Sequence, residues 1–383
     1  MEYIKVLENL LSIDTTVPPG LNYEKVIDYL EPIFKKQGFN THKVIIPVEH
    51  AEGREGRVNL VCNRREKSKP RMIFYCHIDV VPAEGWDAFS PRVENGKIYG
   101  RGAADMKGSI IALLIAMESL KGKRLNYDVS VMITTDEEFS QASQLQYLKQ
   151  YLQPVSGAYF FNLDSSFGYV SIAGLGALQL DIKVRGKSVH SALSHLGENA
   201  VEKANILVMA LLDLKYKVEQ RKSNIPVHPN TGLNFMEAKL NINMIKGGLK
   251  VNIVPDECTI SVDRRLIPEE NIEDARKELF DVLSSVPDVT WETERIFTIP
   301  TISPCNDLLV DELAGIIRDT IGEGGKFGEM GSGDLPSIVA DWGGKEFGLG
   351  VIHPECNIHG KEEFVYLRDI EDLARIITQF LSI

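Results

Sequence analysis

The chain has little with which to bind a charged polymer, cross a bilayer or build a disulfide frame. Its 42 Lys and Arg are outnumbered by 54 Asp and Glu, for a net charge of −12 over 383 residues. Counterion release needs a basic surface, so the expectation is no nucleic acid and no anionic membrane as partner. The longest convincing apolar stretch, Ile110 to Met117, falls far short of the ~20 residues that span a membrane and reads as a core helix. Five cysteines, Cys62, Cys76, Cys258, Cys305 and Cys356, contain no Cys-x-x-Cys pair, and an odd number cannot all pair within one chain. The opening residues, Met1 to Glu8, carry acids and a helical period in place of a basic, then apolar, leader. A reduced, cytoplasmic setting is the expectation. Repeats, low-complexity tracts and a convincing flexible linker are also missing.

What is present is an ordinary globular composition long enough for two domains. Buried strands at Arg71–Cys76 and Val129–Thr134 flank a helix over Ser109–Leu120 that is apolar nearly all round. This alternation predicts an α/β fold: a mostly parallel twisted sheet flanked by helices, with functional groups at the carboxyl ends of the strands. From about Gly176 the pattern changes to period-two strands (Leu178–Val184, Ala238–Met244, Cys258–Asp263) and two helices (Asn199–Tyr216, Ile272–Leu283). That predicts an inserted α+β domain, an antiparallel sheet with two helices, over 176–289. Residues 1–175 and 290–383 then make a discontinuous catalytic domain.

Chemistry gathers at the predicted strand ends. His77 and Asp79, two residues apart in extended chain, project to one face, and a carboxylate there can fix the tautomer of a metal-bound imidazole. Asp105 follows 26 residues after Asp79, just before the apolar helix, where an N-cap is the plain reading. Glu137 and Glu138 follow the strand Val129–Thr134 and point different ways; a solvated acidic loop is the plain reading. Asp164 ends the apolar run Ala158–Leu163, and His359 lies in a polar loop near the C terminus. One imidazole and two carboxylates at a strand end suit a borderline divalent metal. The Gly-rich stretch from Gly322 to Asp334 lacks the Gly-Lys-Ser/Thr ending of a phosphate loop.

Several motifs, in order, carry a resemblance over nearly the whole chain. They are Cys76-His77-Ile78-Asp79-Val80-Val81-Pro82, Gly85-Trp86, Gly96-Lys97-Ile98-Tyr99-Gly100-Arg101-Gly102 and Asp105-Met106-Lys107-Gly108, then Thr135-Asp136-Glu137-Glu138, Gly186-Lys187-Ser188-Val189-His190-Ser191, Asn252-Ile253-Val254-Pro255 and Asp263-Arg264-Arg265. Together they resemble the co-catalytic zinc hydrolases that include acetylornithine deacetylase, succinyl-diaminopimelate desuccinylase, aminoacylase and glutamate carboxypeptidase.

The resemblance implies two divalent metal ions, zinc with cobalt or manganese as substitutes, bridged by Asp105. His77 and Asp164 would complete one site, and Glu138 and His359 the other. Glu137 would be the general base and acid, Asp79 would orient His77, and the Asp105–Met106 peptide bond would be cis. His190 would stabilise the developing oxyanion across a homodimer formed through the inserted dimerisation and lid domain. Asn252 and Arg265 would grip substrate, Arg265 through a bidentate carboxylate pair, with Ser332 in Gly331-Ser332-Gly333-Asp334 as a hydrogen-bond donor. Three carboxylates and two neutral imidazoles leave a dinuclear centre net positive, able to lower the pKa of water from 15.7 to about 7.

The substrate implied is a small N-acyl amino acid of the succinyl-diaminopimelate or acetylornithine type, with a short peptide (dipeptidase or carboxypeptidase) as the alternative and an inactive metal-binding scaffold as the alternative of another class. Three departures stand out. Phe139-Ser140-Gln141-Ala142 replaces the glycines usual after the Glu pair; Ala173-Gly174-Leu175-Gly176 lacks the arginine with which many desuccinylases meet the succinyl carboxylate; and His353, before His359, offers a competing imidazole.

Overall fold

Four parallel strands with aligned carboxyl ends form the centre of the first unit in the computed structural model, which describes residues 3–51, 53–66, 68–139 and 142–382. In spatial order they are Asp128–Thr134, Arg71–His77, Tyr159–Asn162 and Lys345–Gly348. Their register pairs His77 with Thr134, Tyr75 with Asn162, and Gly348 with Asn162. The chain therefore leaves all four strands on one edge of the sheet. Antiparallel pairing extends it on both sides, to Val58–Arg64 and Asn40–Ile45 beyond Asp128–Thr134 and to Val170–Gly174 beyond Lys345–Gly348, and Lys326–Glu329 lies outermost next to Val170–Gly174.

The strand Arg71–His77 is buried along its whole length, as a strand covered on both faces must be. The helix between it and Asp128–Thr134 spans Gly108–Ser119 and buries Ile110, Ile111, Leu113, Leu114 and Met117. A helix apolar all round is stable only when covered on every side; here the C-terminal helix Leu367–Ser382 supplies one cover. Each such aliphatic side chain contributes about 1.5–3 kcal/mol of burial.

The second unit comprises 173–304 with 328–332. Its four-stranded antiparallel sheet runs Lys239–Gly247, Glu257–Leu266, Gly176–Arg185, Trp291–Ile299. Alternate residues Leu178, Leu180, Ile182 and Val184, with Ile260 and Val262, share one core with Leu207, Leu211 and Leu214 of the helix Ala200–Val218 and with Leu279 and Leu283 of the helix Ile272–Ser284. Asn199 and Asn271 cap these helices, each side chain accepting two backbone N–H bonds. The unit extends to Pro304, past the expected boundary at 289. The reason is the strand Trp291–Ile299, an edge strand largely exposed, so its apolar alternation is too weak to read.

Candidate metal centre

The aligned strand ends explain why residues so far apart in sequence meet. His77 is the last residue of its strand and is buried. The turn after it is pinned from both sides: Ile78 N donates to Thr134 O at 3.0 Å, and Thr15 Oγ1 donates to Ile78 O at 2.7 Å. Glu137 and Glu138 open the turn after Asp128–Thr134, and Asp164 follows Tyr159–Asn162, its backbone N donating to Asn162 Oδ1 at 2.9 Å. Asp105 lies in the tight turn Ala103–Lys107 that leads into the buried helix, with non-helical dihedrals at Asp105 and Met106 and a cis Asp105–Met106 peptide bond. His359 comes from the loop after Lys345–Gly348. That loop runs against the Asp164 segment closely enough that a Cβ on Gly350 would lie 2.2 Å from Ser165 O, so only glycine fits there.

Two groups of three ligand atoms result, His77–Asp105–Asp164 and Asp105–Glu138–His359, each with its atoms within 4.8 Å of one another. Asp105 belongs to both. Its Oδ1 is 3.2 Å from His77 Nε2, and its Oδ2 is 3.0 Å from His359 Nε2. His77 Nε2 is also 3.8 Å from Asp164 Oδ2, and His359 Nε2 is 3.1 Å from Glu138 Oε2. Although buried among carboxylates, His77 Nε2 has no hydrogen-bond partner among the described residues. An orphaned buried imidazole nitrogen is costly unless a cation takes its lone pair. The donor set of imidazole and carboxylate suits zinc and its neighbours, so these residues fit a pair of divalent ions.

Electrostatics agree. Burial, then Asp105, pushes the Asp164 carboxyl up to about 7. Glu138 is raised by burial and Asp105, and Glu137 well above the usual carboxylate range by burial together with Asp164, Asp334 and Glu138. Burial works against a charged Asp105 too, but His359 and His77 outweigh it and hold the group low. Hydrogen bonds to Asp105 and Glu138 lift His359 to about 10. Crowded carboxylates that resist ionising together are relieved by cations. Glu137 stands in neither ligand group. Gly333 lies close to it: a Cβ there would stand 3.4 Å from Glu137 Oε1, an ordinary van der Waals contact.

Some expected roles shift in detail. His77 Nδ1 is 3.2 Å from the Asp79 carbonyl and 3.6 Å from its carboxylate Oδ1, so the backbone makes the nearer contact. Asp79 Oδ2 instead accepts from Glu138 N at 2.9 Å, tying the His77 turn to the Glu138 turn. His353 is no competing ligand: Nε2 pairs with Asp369 Oδ2 at 2.8 Å, beside the rings of Phe167 and Tyr366. Phe139 lies under the Arg54 guanidinium at 4.7 Å; Ser140 and Gln141 lie outside the described residues.

The other expected site residues belong to the second unit. His190 is exposed and pairs with Ile253, the neighbour of Asn252, while its Nδ1 accepts from Ala192 N at 3.2 Å. Arg265 is held by both oxygens of Asp263, at 2.7 and 3.1 Å, and donates to Ser332 Oγ at 3.2 Å. Ser332 in turn donates to Leu175 O at 2.5 Å. In this arrangement its hydroxyl proton faces the backbone, and its oxygen accepts from Arg265.

Three positioning groups escaped the sequence reading. Asp136 accepts from Tyr23 Oη at 2.7 Å and Arg57 Nε at 2.9 Å, anchoring the Glu137 turn from behind. Lys107, fully buried and pushed down to about 8 by burial, donates to Thr15 Oγ1 at 3.0 Å. Glu363 grips the Asp105 turn. A run of acids reads as a solvated loop, and burial of one member leaves no mark on the sequence.

A sheet with carboxylates and imidazoles at its carboxyl edge, paired into two ligand groups, is the donor arrangement of a two-metal centre. The sequence profile of Peptidase family M20/M25/M40 matches residues 73–382, and the chain belongs to that family, which makes it a metallohydrolase of amide or peptide bonds. It is 28% identical over 337 residues to a succinyl-diaminopimelate desuccinylase of Thioalkalivibrio sulfidiphilus, covering 83% of this chain and 85% of that one. Two solved structures share the fold. One is an M20 family metallo-carboxypeptidase from Sulfolobus solfataricus, with a TM-score of 0.78, 17% identity and coverage of 99% and 98%. The other is a tripeptidase from Staphylococcus aureus, with a TM-score of 0.76, 19% identity and coverage of 99% and 96%.

Proposed function

We propose that the protein removes an acyl group from small N-acyl amino acids, in the manner of a succinyl-diaminopimelate desuccinylase or acetylornithine deacetylase. The observation that carries this reading is the pair of ligand groups sharing Asp105, with Glu137 beside them and in neither. His77, Asp105 and Asp164 would hold one ion and Asp105, Glu138 and His359 the other, zinc being the first choice. Such a pair supplies a Lewis acid for the amide carbonyl and makes water acidic enough to attack at neutral pH. Glu137 takes the proton from that water and returns it to the leaving amine, acting as general base and then general acid. Asp79 keeps the His77 and Glu138 turns in register. Arg265, oriented by Asp263, meets a substrate carboxylate, with Asn252 as a further substrate contact and Ser332 accepting from Arg265.

The curated relative supports deacylation over peptide cleavage, while the peptidase structures, under 25% identical, speak for fold alone. The missing arginine at 173–176 keeps a dipeptidase or carboxypeptidase as the second reading. The inserted unit serves in this proposal as dimerisation and lid domain, carrying His190 to the partner's centre. Its support is an outward apolar stripe on the helix Ala200–Val218 (Ile206, Met209, Leu212, Tyr216) beside the unpaired edge strand Lys239–Gly247, where Met244 and Ile245 are exposed. A two-fold partner would cover both at once.

Metal-reconstituted protein assayed on N-succinyl-diaminopimelate, N-acetylornithine and simple dipeptides tests the reading. Cleavage of one of the acylated substrates is expected, with E137Q keeping both metals and losing at least ~10²–10⁴-fold in turnover. Dipeptide cleavage alone selects the second reading. Metal binding without turnover on any substrate selects the inactive scaffold.

A further inference from the structure

Glu363 has no place in the chemistry proposed above, yet it joins the two chain segments that carry Asp105 and His359. It is 1% exposed. Its Oε2 accepts from Arg101 Nη1 at 2.6 Å and Gly102 N at 3.1 Å, and its Oε1 from Ala104 N at 3.1 Å and Asp105 N at 3.2 Å. Its own carbonyl accepts from Gly100 N at 2.9 Å, and Arg101 Nη2 reaches on to Gly360 O, next to His359, at 2.9 Å.

A simple buried ion pair would need Arg101 alone. Three peptide N–H groups converging on the same carboxylate instead fix the backbone through 102–105, ending at the amide of the residue shared by both ligand groups. Only an acceptor with two oxygens satisfies these donors, since a carboxamide turns an N–H against at least one of them.

We infer that Glu363 is a positioning residue that locks the Asp105 turn to the His359 loop, so that one carboxylate reaches both metals. The inference rests on the two-metal reading. Partners that orient metal ligands typically change metal affinity 10–100-fold when altered, and Glu363 acts one bond further out, through the ligand's backbone.

The test compares wild type, E363Q and E363D as metal-free protein titrated with zinc against a competing chelator. The absorption spectrum of the cobalt-loaded forms and the thermal midpoint of each metal-free form are measured alongside. Wild type is expected to bind two ions. E363Q is expected to lose about 10-fold or more in zinc affinity and to change its cobalt spectrum, with E363D recovering part of the affinity. Should E363Q fail to fold, the same comparison of E363D with wild type decides: a shorter carboxylate weakens zinc binding if the inference holds. Wild-type affinities and cobalt spectra in the folded variants, even with a lowered metal-free midpoint, would reduce Glu363 to a structural ion pair and overturn it. Fewer than two ions in wild type would instead sink the two-metal reading, and this inference with it.

Discussion

Glu346 shows at one residue how much charge this fold keeps out of water. It lies in the strand Lys345–Gly348, 4% exposed, with Oε1 accepting from Asn162 Nδ2 at 3.1 Å and Oε2 without a partner among the described residues. Burial pushes its carboxyl up to about 8. The folded state therefore favours the protonated acid, while the unfolded chain ionises near 4.5. Stability from this group is fully present below that lower value and is lost as pH rises through about 8. Glu346→Gln removes the titration and keeps the shape. Metal-free protein unfolded in urea should gain on the order of 1–3 kcal/mol from this change at pH 8.5 and little at pH 4.5. An equal effect at both pH values would contradict the assignment.

At the scale of elements, the helix Ala200–Val218 presents two apolar faces of different purpose. Leu207, Leu211 and Leu214 serve the core of the second unit, whereas Ile206, Met209, Leu212 and Tyr216 face away from it, Tyr216 being 73% exposed. Met209→Glu leaves that core untouched. It should shift the proposed dimer, followed by sedimentation, towards monomer by tenfold or more in dissociation constant, since a buried unpaired charge costs several kcal/mol. Unchanged association would place any dimer contact elsewhere. Elements with one strong period were legible in the sequence: the helix expected over Ile272–Leu283 spans Ile272–Ser284, and the strand expected over Leu178–Val184 spans Gly176–Arg185. The edge strand Trp291–Ile299 was not, because a register shift between Thr293 and Arg295 interrupts its alternation.

Across the whole molecule, His77, Asp105 and Glu138 of the two ligand groups were legible because each stands at a strand end or helix start in a recognisable motif. Asp164 shows only as the end of an apolar run and His359 only as a loop residue, and the parallel register of four strands does the gathering. The supports of these residues were not legible. Glu363, Asp136 and Lys107 matter through burial and through partners up to 262 residues away, and neither shows in local sequence. All five cysteines are free and buried, and no helix among the described residues is long and apolar enough to cross a membrane.

The central claim is that one carboxylate serves two metal positions, and titration of metal-free protein with zinc, with bound metal and amidase activity followed together, tests it most directly. Wild type should take up two ions, with full activity only at the second. Asp105→Ala should weaken both positions together, by 100-fold or more, because each loses the same ligand. If Asp105→Ala instead binds two ions as wild type does, or loses one position while the other is unchanged, Asp105 does not join the two positions and the account fails.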